Sequence, residues 1–161
     1  MKTLYIIRHA KSDWKSGEQD FDRTLNNRGE QQSRALGEYL SSKNLNPDLV
    51  ICSAARRTVL TSLNIAEELG YPFSKVQKEL SIYEAHHDQY LPVIWGVDNK
   101  LESVFIVGHN PGVSNLVYAL TGNYVDFKTS CVAQISFKVK TWEEVLPSSG
   151  NLEQFITPSQ F

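Results

Sequence analysis

The chain has 161 residues, 41% hydrophobic and 21% charged, with a net charge of −2 at pH 7. That balance suits one globular domain over residues 1–161 and excludes a disordered chain. The slight acidity excludes the basic stripe of a nucleic-acid binder, and no stretch is apolar and long enough to span a membrane.

Residues 3–7, Thr-Leu-Tyr-Ile-Ile, are nearly all apolar, as expected of a strand buried on both faces, and the run stops at Arg8-His9. Arg8 and Lys11 interrupt it too early for a signal peptide. Ser12 to Arg28 is a polar loop carrying Asp13, Lys15, Asp20, Asp22, Arg23 and Arg28, and long loops in compact domains usually serve function. Asn27 is placed as the N-cap of a helix through about Lys43, with Ala35, Leu36, Tyr39 and Leu40 on its core face. Asn46-Pro47 breaks the chain before a second strand, Asp48 to Cys52, which ends at Ser53. A helix follows and carries Val59, Leu60, Leu63, Ala66 and Leu69, with Gly70 as its C-cap.

Ser74 to Gln77 reads as a short strand and residues 80–87 as a connection. Asp88 is placed to cap a helix through Val97, with Pro92 tolerated in its first turn. Ser103 to Val107 is a further buried strand ending at Gly108-His109; Asn110 and Pro111 suit the cap and first position of the next helix, which ends at Gly122. Ala133, Ile135, Phe137 and Val139 alternate with polar neighbours, the pattern of a strand with one wet face. A turn at 147–150 precedes a last short strand near Phe155-Ile156. Trp95 and Trp142 read as packing residues. Cys52 and Cys131 fall in apparent strands and read as buried free thiols of a cytoplasmic protein.

The strand-loop-helix order recurs three times. It predicts an α/β fold, a three-layer αβα sandwich whose mainly parallel sheet carries helices on both faces, with the C-terminal strand pair antiparallel to the rest. Strands that run parallel deliver their carboxyl ends to one edge, where ligands of such folds bind. Arg8-His9, Ser53 with Arg56-Arg57, and Gly108-His109-Asn110 would all arrive there. Guanidiniums match phosphate oxygens bidentately and stay charged. An imidazole can take a phosphoryl group covalently. The helix after Asn110 would add backbone donors.

Arg8-His9-Ala10-Lys11-Ser12, Arg23-x-Leu25-x-x-x-Gly29, Ser53-x-x-x-Arg57-x-x-x-Thr61 and Val107-Gly-His-Asn-Pro-Gly112 resemble, in this order, the phosphoglycerate-mutase-like branch 1 of the histidine phosphatase superfamily. Within it, the short chain is most similar to SixA-type phosphohistidine phosphatases. The resemblance implies a phosphoglycerate-mutase-like fold and a phosphatase working without metal or cofactor. His9 would be the nucleophile. Arg8, Arg57 and His109 would hold the phosphoryl oxygens, with Asn110 touching phosphate. Arg57 is preferred to Arg56 because it stands four residues after Ser53 and four before Thr61. Glu84 occupies the place where many members carry a general acid; Asp88 is the reserve. The P–N bond of phosphohistidine is already labile, so Glu84 could instead only orient the leaving group.

The implied substrate is phosphohistidine on a protein, such as a histidine phosphotransfer domain. A small phosphoester is the alternative, and a phosphoryl-binding module without turnover is the rival from another class. Blander readings stand beside several of these residues. Lys11, Ser12, Asp13 and Trp14 line the pocket mouth or are simply solvated. Asp22 and Arg23 pair near the site or solvate the loop. His86 and His87 read as rim residues, because adjacent histidines point apart and do not share a metal ion. Gly29 reads as a backbone requirement near the helix start.

Overall fold

The computed structural model describes residues 1–14 and 17–161. Lys15, grouped above with the polar loop, lies outside them. Six strands form one sheet: β1 (Lys2–Arg8), β2 (Leu49–Ser53), β3 (Gln77–Glu79), β4 (Ser103–Gly108), β5 (Val132–Phe137) and β6 (Gly150–Ile156). Their order is β3-β2-β4-β1-β5-β6. The first four positions are mutually parallel. β5 pairs antiparallel with β1, and β6 antiparallel with β5. Only β5 of these strands is therefore reversed, whereas the sequence had suggested that both C-terminal strands were.

Successive side chains of a strand point to opposite faces, and the core divides accordingly. Leu4, Ile6, Val104 and Ile106 face α3 (Tyr90–Trp95) and α4 (Gly112–Thr121), meeting Ile94, Val113, Leu116 and Leu120. Tyr5, Ile7, Phe105 and Val107 face α1 (Asn27–Ser42) and α2 (Arg56–Leu69), meeting Leu36, Leu40 and Ile65. This is the expected sandwich. β1 is central because it is apolar on both faces; each of its buried aliphatic side chains contributes about 1.5–3 kcal/mol.

Several local expectations shift, for identifiable reasons. Asn26, not Asn27, caps α1: its side-chain oxygen accepts the Gly29 amide at 2.8 Å. Asp88 caps no α-helix; it lies in a 3₁₀ turn, His87–Gln89, that leads into α3. The Ser74–Gln77 strand is displaced, since Phe73–Lys75 is a 3₁₀ turn and β3 follows at Gln77. α4 begins one residue late, at Gly112, after a cis Asn110–Pro111 peptide. β5 has no wet face, because cores lie on both sides of it, with Ala133, Ile135 and Phe137 in one and Val132 in the other; Gln134 alone in it is half-buried. Cys131 is buried but precedes β5, while Cys52 lies within β2.

In α2 the buried stripe is largely polar. Val59, Leu60 and Leu63 are only half-buried, and the buried stripe includes Arg57, Thr58, Thr61, Ser62 and Ile65. Hydroxyls tolerate this interior because they donate to carbonyls near or one turn back: Thr61 to Arg57 and Ser62 to Thr58, each at 2.8 Å. Gly37 of α1 packs against Ile65 and Glu68, so the two helices approach closely.

Trp142 is fully buried and donates to the Leu101 carbonyl, and Trp95 donates to the Val145 carbonyl, so both are packing residues. No helix among the described residues is long and apolar enough to cross a membrane.

Candidate active site

Register brings the site together. Arg8 of β1 stands level with Gly108 of β4, and Cys52 of β2 level with Val107, so Arg8, Ser53 and Gly108 form one row across three parallel strands. His9 and His109 are the next residues along their strands, with ring centroids 5.4 Å apart. The amide of His9 donates to the Gly108 carbonyl, continuing the ladder past the last paired residue. Gly108 is required by space: a Cβ there would overlap the Tyr90 hydroxyl, which also accepts the His109 amide at 3.3 Å.

His9 is 8% exposed. Its Nδ1 lies 2.7 Å from the Ala10 carbonyl oxygen. A carbonyl only accepts, so Nδ1 carries the proton and Nε2 keeps its lone pair. Burial above all, with His109, Arg57 and Arg8 nearby and the Ala10 hydrogen bond opposing, holds the His9 pKa down to about 3. Burial, then Arg57, also lowers His109, to about 4, with Asp20 opposing. Both imidazoles are neutral at neutral pH. His109 is held at Nε2 by Ser53 Oγ, 2.8 Å away.

Arg57 reaches the site from the first turn of α2 and is 7% exposed. It donates to the Asp20 carbonyl oxygen at 2.8 Å and to the Asp20 carboxylate at 3.2 Å. Arg23 donates to the same carboxylate at 3.0 Å, and the Tyr83 hydroxyl does so at 2.6 Å. Burial alone would raise the Asp20 pKa, but the hydrogen bonds from Tyr83, Arg23 and Arg57 outweigh it and bring it to about 2. Arg23 also stacks on Trp14, 4.1 Å from the ring centre, and donates to Ser12 Oγ. Arg8 donates to the Phe127 carbonyl from the opposite wall.

Arg8, Arg23, Arg57 and His109 line one cavity of about 500 Å³ together with His9. Each of the three guanidiniums has a buried Nε with no hydrogen-bond partner, as does His109 at Nδ1. A buried donor left unpaired costs about 1–3 kcal/mol. Three guanidiniums, each with more N–H groups than the protein gives partners, line one cavity; they fit an acceptor carrying several oxygens, and a tetrahedral oxyanion supplies that geometry.

The structure thus gathers Arg8, His9, Arg57, His109 and Asn110 around one cavity. Lys11 and Ser12 also line it; Asp13 and Trp14 do not, although Trp14 supports Arg23. At the start of α4 the Val113 amide donates to the His109 carbonyl and the Ser114 amide to Asn110 Oδ1, which engages these two of the backbone donors expected there. Glu84 is exposed, with φ 54°, and lines an adjoining recess of about 290 Å³ that shares His109 and Asn110 with the main cavity. Asp88 lines neither. Arg56 is exposed. Among the described residues no group of three His, Cys, Asp or Glu side chains is arranged as metal ligands, the His86-His87-Asp88 run included.

Arg23 pairs with Asp20 and not with Asp22, which settles the choice left open for that loop. Asp20, Tyr83, Lys128 and Thr129 were not singled out. Arg23 had a signal in the Arg23-x-Leu25-x-x-x-Gly29 spacing; Asp20 had none beyond its place in a polar run.

Guanidiniums and neutral imidazoles at the carboxyl edge of a parallel sheet define an α/β protein suited to a phosphoryl group. Residues 4–90, more than half of the chain, match the model of the histidine phosphatase superfamily (branch 1), and the chain belongs to that family. His109 lies beyond the matched segment, so its place at the site rests on the geometry. An uncharacterised chloroplastic protein of Arabidopsis thaliana is 27% identical over 171 residues, covering 98% of this chain and 78% of its own. A structure from Agrobacterium tumefaciens that carries the name phosphohistidine phosphatase SixA is 26% identical, covers 98% of both chains and superposes with a TM-score of 0.80. A protein histidine phosphatase SixA complexed with tungstate, 21% identical with the same coverage, shares the fold at a TM-score of 0.85.

Proposed function

We propose that the chain is a phosphatase that works through a phosphohistidine formed on His9, and that its substrate is phosphohistidine on a protein. One observation carries this: His9, with its Nε2 lone pair free, lines one cavity together with the guanidiniums of Arg8, Arg23 and Arg57 and the neutral imidazole of His109. In the first step His9 Nε2 attacks phosphorus in line, the bond to the leaving nitrogen breaks, and that nitrogen takes a proton. The donors hold the equatorial oxygens, whose charge is spread in the transition state. Water then attacks the phosphohistidine, inorganic phosphate leaves, and Nε2 recovers its lone pair.

The Nδ1–H bond to Ala10 fixes the reactive tautomer. The depressed His9 pKa keeps Nε2 unprotonated at neutral pH, where it must act as nucleophile. A leaving imidazole is protonated by water more readily than an alkoxide, so the reaction does not demand a buried acid. Glu84, exposed in the adjoining recess, suits orientation of the leaving group and serves as proton source for a poorer one. Likeness to the SixA structures supports the phosphohistidine reading, and tungstate, held by one of them, is an oxyanion of phosphate's shape.

The test is phosphate release from a phosphohistidine-bearing protein without added metal, with His9→Ala beside the wild type and an aryl phosphate in parallel. The expected result is release that falls by about a thousandfold or more in His9→Ala, with the protein substrate preferred. Preference for the aryl phosphate would move the substrate class to small phosphomonoesters. Equal release by His9→Ala would reject the nucleophile, and release from neither substrate would leave a phosphoryl-binding module.

A further inference from the structure

A second cavity, of about 700 Å³, opens beside the first and shares its Lys11, Lys128 and Thr129 wall. The reaction described above uses none of its own residues. Arg28 extends the basic rim, against one lining carboxylate, Asp126. Phe155, half-buried, contributes to the lining. Tyr124 borders it and is 88% exposed, resting edge-on against Tyr118.

Three cations to one anion is an excess of positive charge on a chain whose net charge is −2, so cations have been gathered on this face. Arg28 makes no ion pair among the described residues, and Lys128 pairs loosely with Asp126 at 3.7 Å, both largely exposed. A compact second anion would need only the cations. Apolar and aromatic surface beside them suits the mixed side chains of a polypeptide, and exposed tyrosines with arginines are typical anchors of protein interfaces.

We infer that this groove docks an acidic segment of the protein substrate, next to its phosphorylated residue, and so selects macromolecular substrates for the adjoining cavity. The inference rests on the phosphatase reading for its purpose, but docking is measurable without turnover. Complementary charge mainly accelerates encounter and excludes wrong partners, and it weakens with salt.

Two peptides serve as probes, each with one phosphohistidine, flanked by glutamates in the first and by serines in the second. A fluorescent, unphosphorylated glutamate peptide serves for binding. The variants are Arg28→Glu and Tyr124→Ala. Residue 28 is exposed in the first turn of α1, where a carboxylate favours the helix, and Tyr124 is exposed, so both variants fold.

The expected result is that wild type prefers the glutamate-flanked peptide about tenfold in kcat/KM at low salt. The preference disappears in Arg28→Glu, shrinks in Tyr124→Ala, and fades at 0.5 M salt, a concentration chosen to shorten the screening length. Aryl phosphate turnover stays unchanged in both variants. Binding of the unphosphorylated peptide should follow the same order. Equal rates on the two peptides, or a preference that survives Arg28→Glu, would overturn the inference. Binding of pyrophosphate that is lost in Arg28→Glu, with no peptide binding, would assign the groove to a compact polyanion and overturn it as well. Peptide binding lost in Arg28→Glu, with no turnover of any substrate, would uphold the docking groove and reject the phosphatase reading.

Discussion

At the scale of single residues, the site is a set of polar side chains that are each held by partners within the protein. Ser53 shows what the inner partner does. It holds His109 by Nε2 from inside the core and accepts the Ala55 amide at 3.3 Å. Ser53→Ala should free the His109 ring to rotate without disturbing any cation. The expected outcome is about a tenfold loss in kcat/KM on an aryl phosphate, mostly in kcat, with stability lowered by about 1 kcal/mol. Steady-state kinetics beside urea unfolding would separate the two effects. Unchanged kinetics would mean that packing alone orients His109. Asp20 plays the corresponding part for the guanidiniums, as one carboxylate gripped by Arg57, Arg23 and Tyr83. Its importance is invisible in the sequence, because Arg57 is 37 residues away and Tyr83 is 63. His9, Arg57 and His109 were legible since each follows an apolar run at a recognisable spacing. Asp20 has only its neighbours in a polar loop.

At the scale of elements, a hydrogen bond joins the turn that carries His9 to a helix. The amide of Ala10, directly after His9, donates to Thr61 Oγ1 at 2.9 Å, and that hydroxyl donates in turn to the Arg57 carbonyl. α2 thus positions its own arginine and the turn that carries His9. Thr61→Val keeps the shape and leaves the fully buried Ala10 amide unpaired. The expected loss is about 1–3 kcal/mol of unfolding free energy, read from the shift in denaturation midpoint. Activity should fall with it, since the turn is no longer fixed. A neutral Thr61→Val would show that the turn is held from β1 and β4 alone. This helix was the element that periodicity read least well. Its apolar residues do not mark the whole inner face, since hydroxyls hold much of it and intrahelical back-bonding satisfies them. The uniformly apolar strands were read correctly within a residue or two, since nothing but a two-sided core accommodates them. Gly29 was recognised as a backbone requirement, and the reason is a close approach: a Cβ there would overlap the Lys11 carbonyl oxygen.

At the scale of the whole molecule, the two buried histidines couple stability to pH. Both have folded pKa values below the ordinary 6.5, about 3 for His9 and about 4 for His109. Below pH 6.5 the unfolded chain takes up protons on these rings that the folded chain refuses, so acid favours unfolding. Stability is therefore fully present above about pH 6.5 and is lost as pH falls toward 4. By pH 5 the loss should be about 2 kcal/mol per histidine. Thermal unfolding of wild type from pH 7.5 to 4.5, beside His9→Ala and His109→Ala, would show it as a shallower acid slope in each variant. Parallel slopes in all three would mean that the rings protonate in place. The sandwich itself was legible from the recurring strand-loop-helix order. The direction of β6 was not, because a strand's residues do not record which way its neighbour runs.

The sheet order also sets a schedule for the chain as it is made. β1 leaves the ribosome before the other five strands of this sheet, yet it pairs only with β4, about 100 residues later, and with β5, later still. Translation at about 5–20 residues per second leaves β1 without either neighbour for roughly 5–20 seconds. During that interval Leu4, Tyr5, Ile6 and Ile7 form an apolar segment open to any sticky surface. β2 must wait for β4 as well, and only its short pairing with β3 comes earlier. His9 is therefore made long before its surroundings, and the cavity that it lines cannot form until the chain as far as Thr129 has emerged.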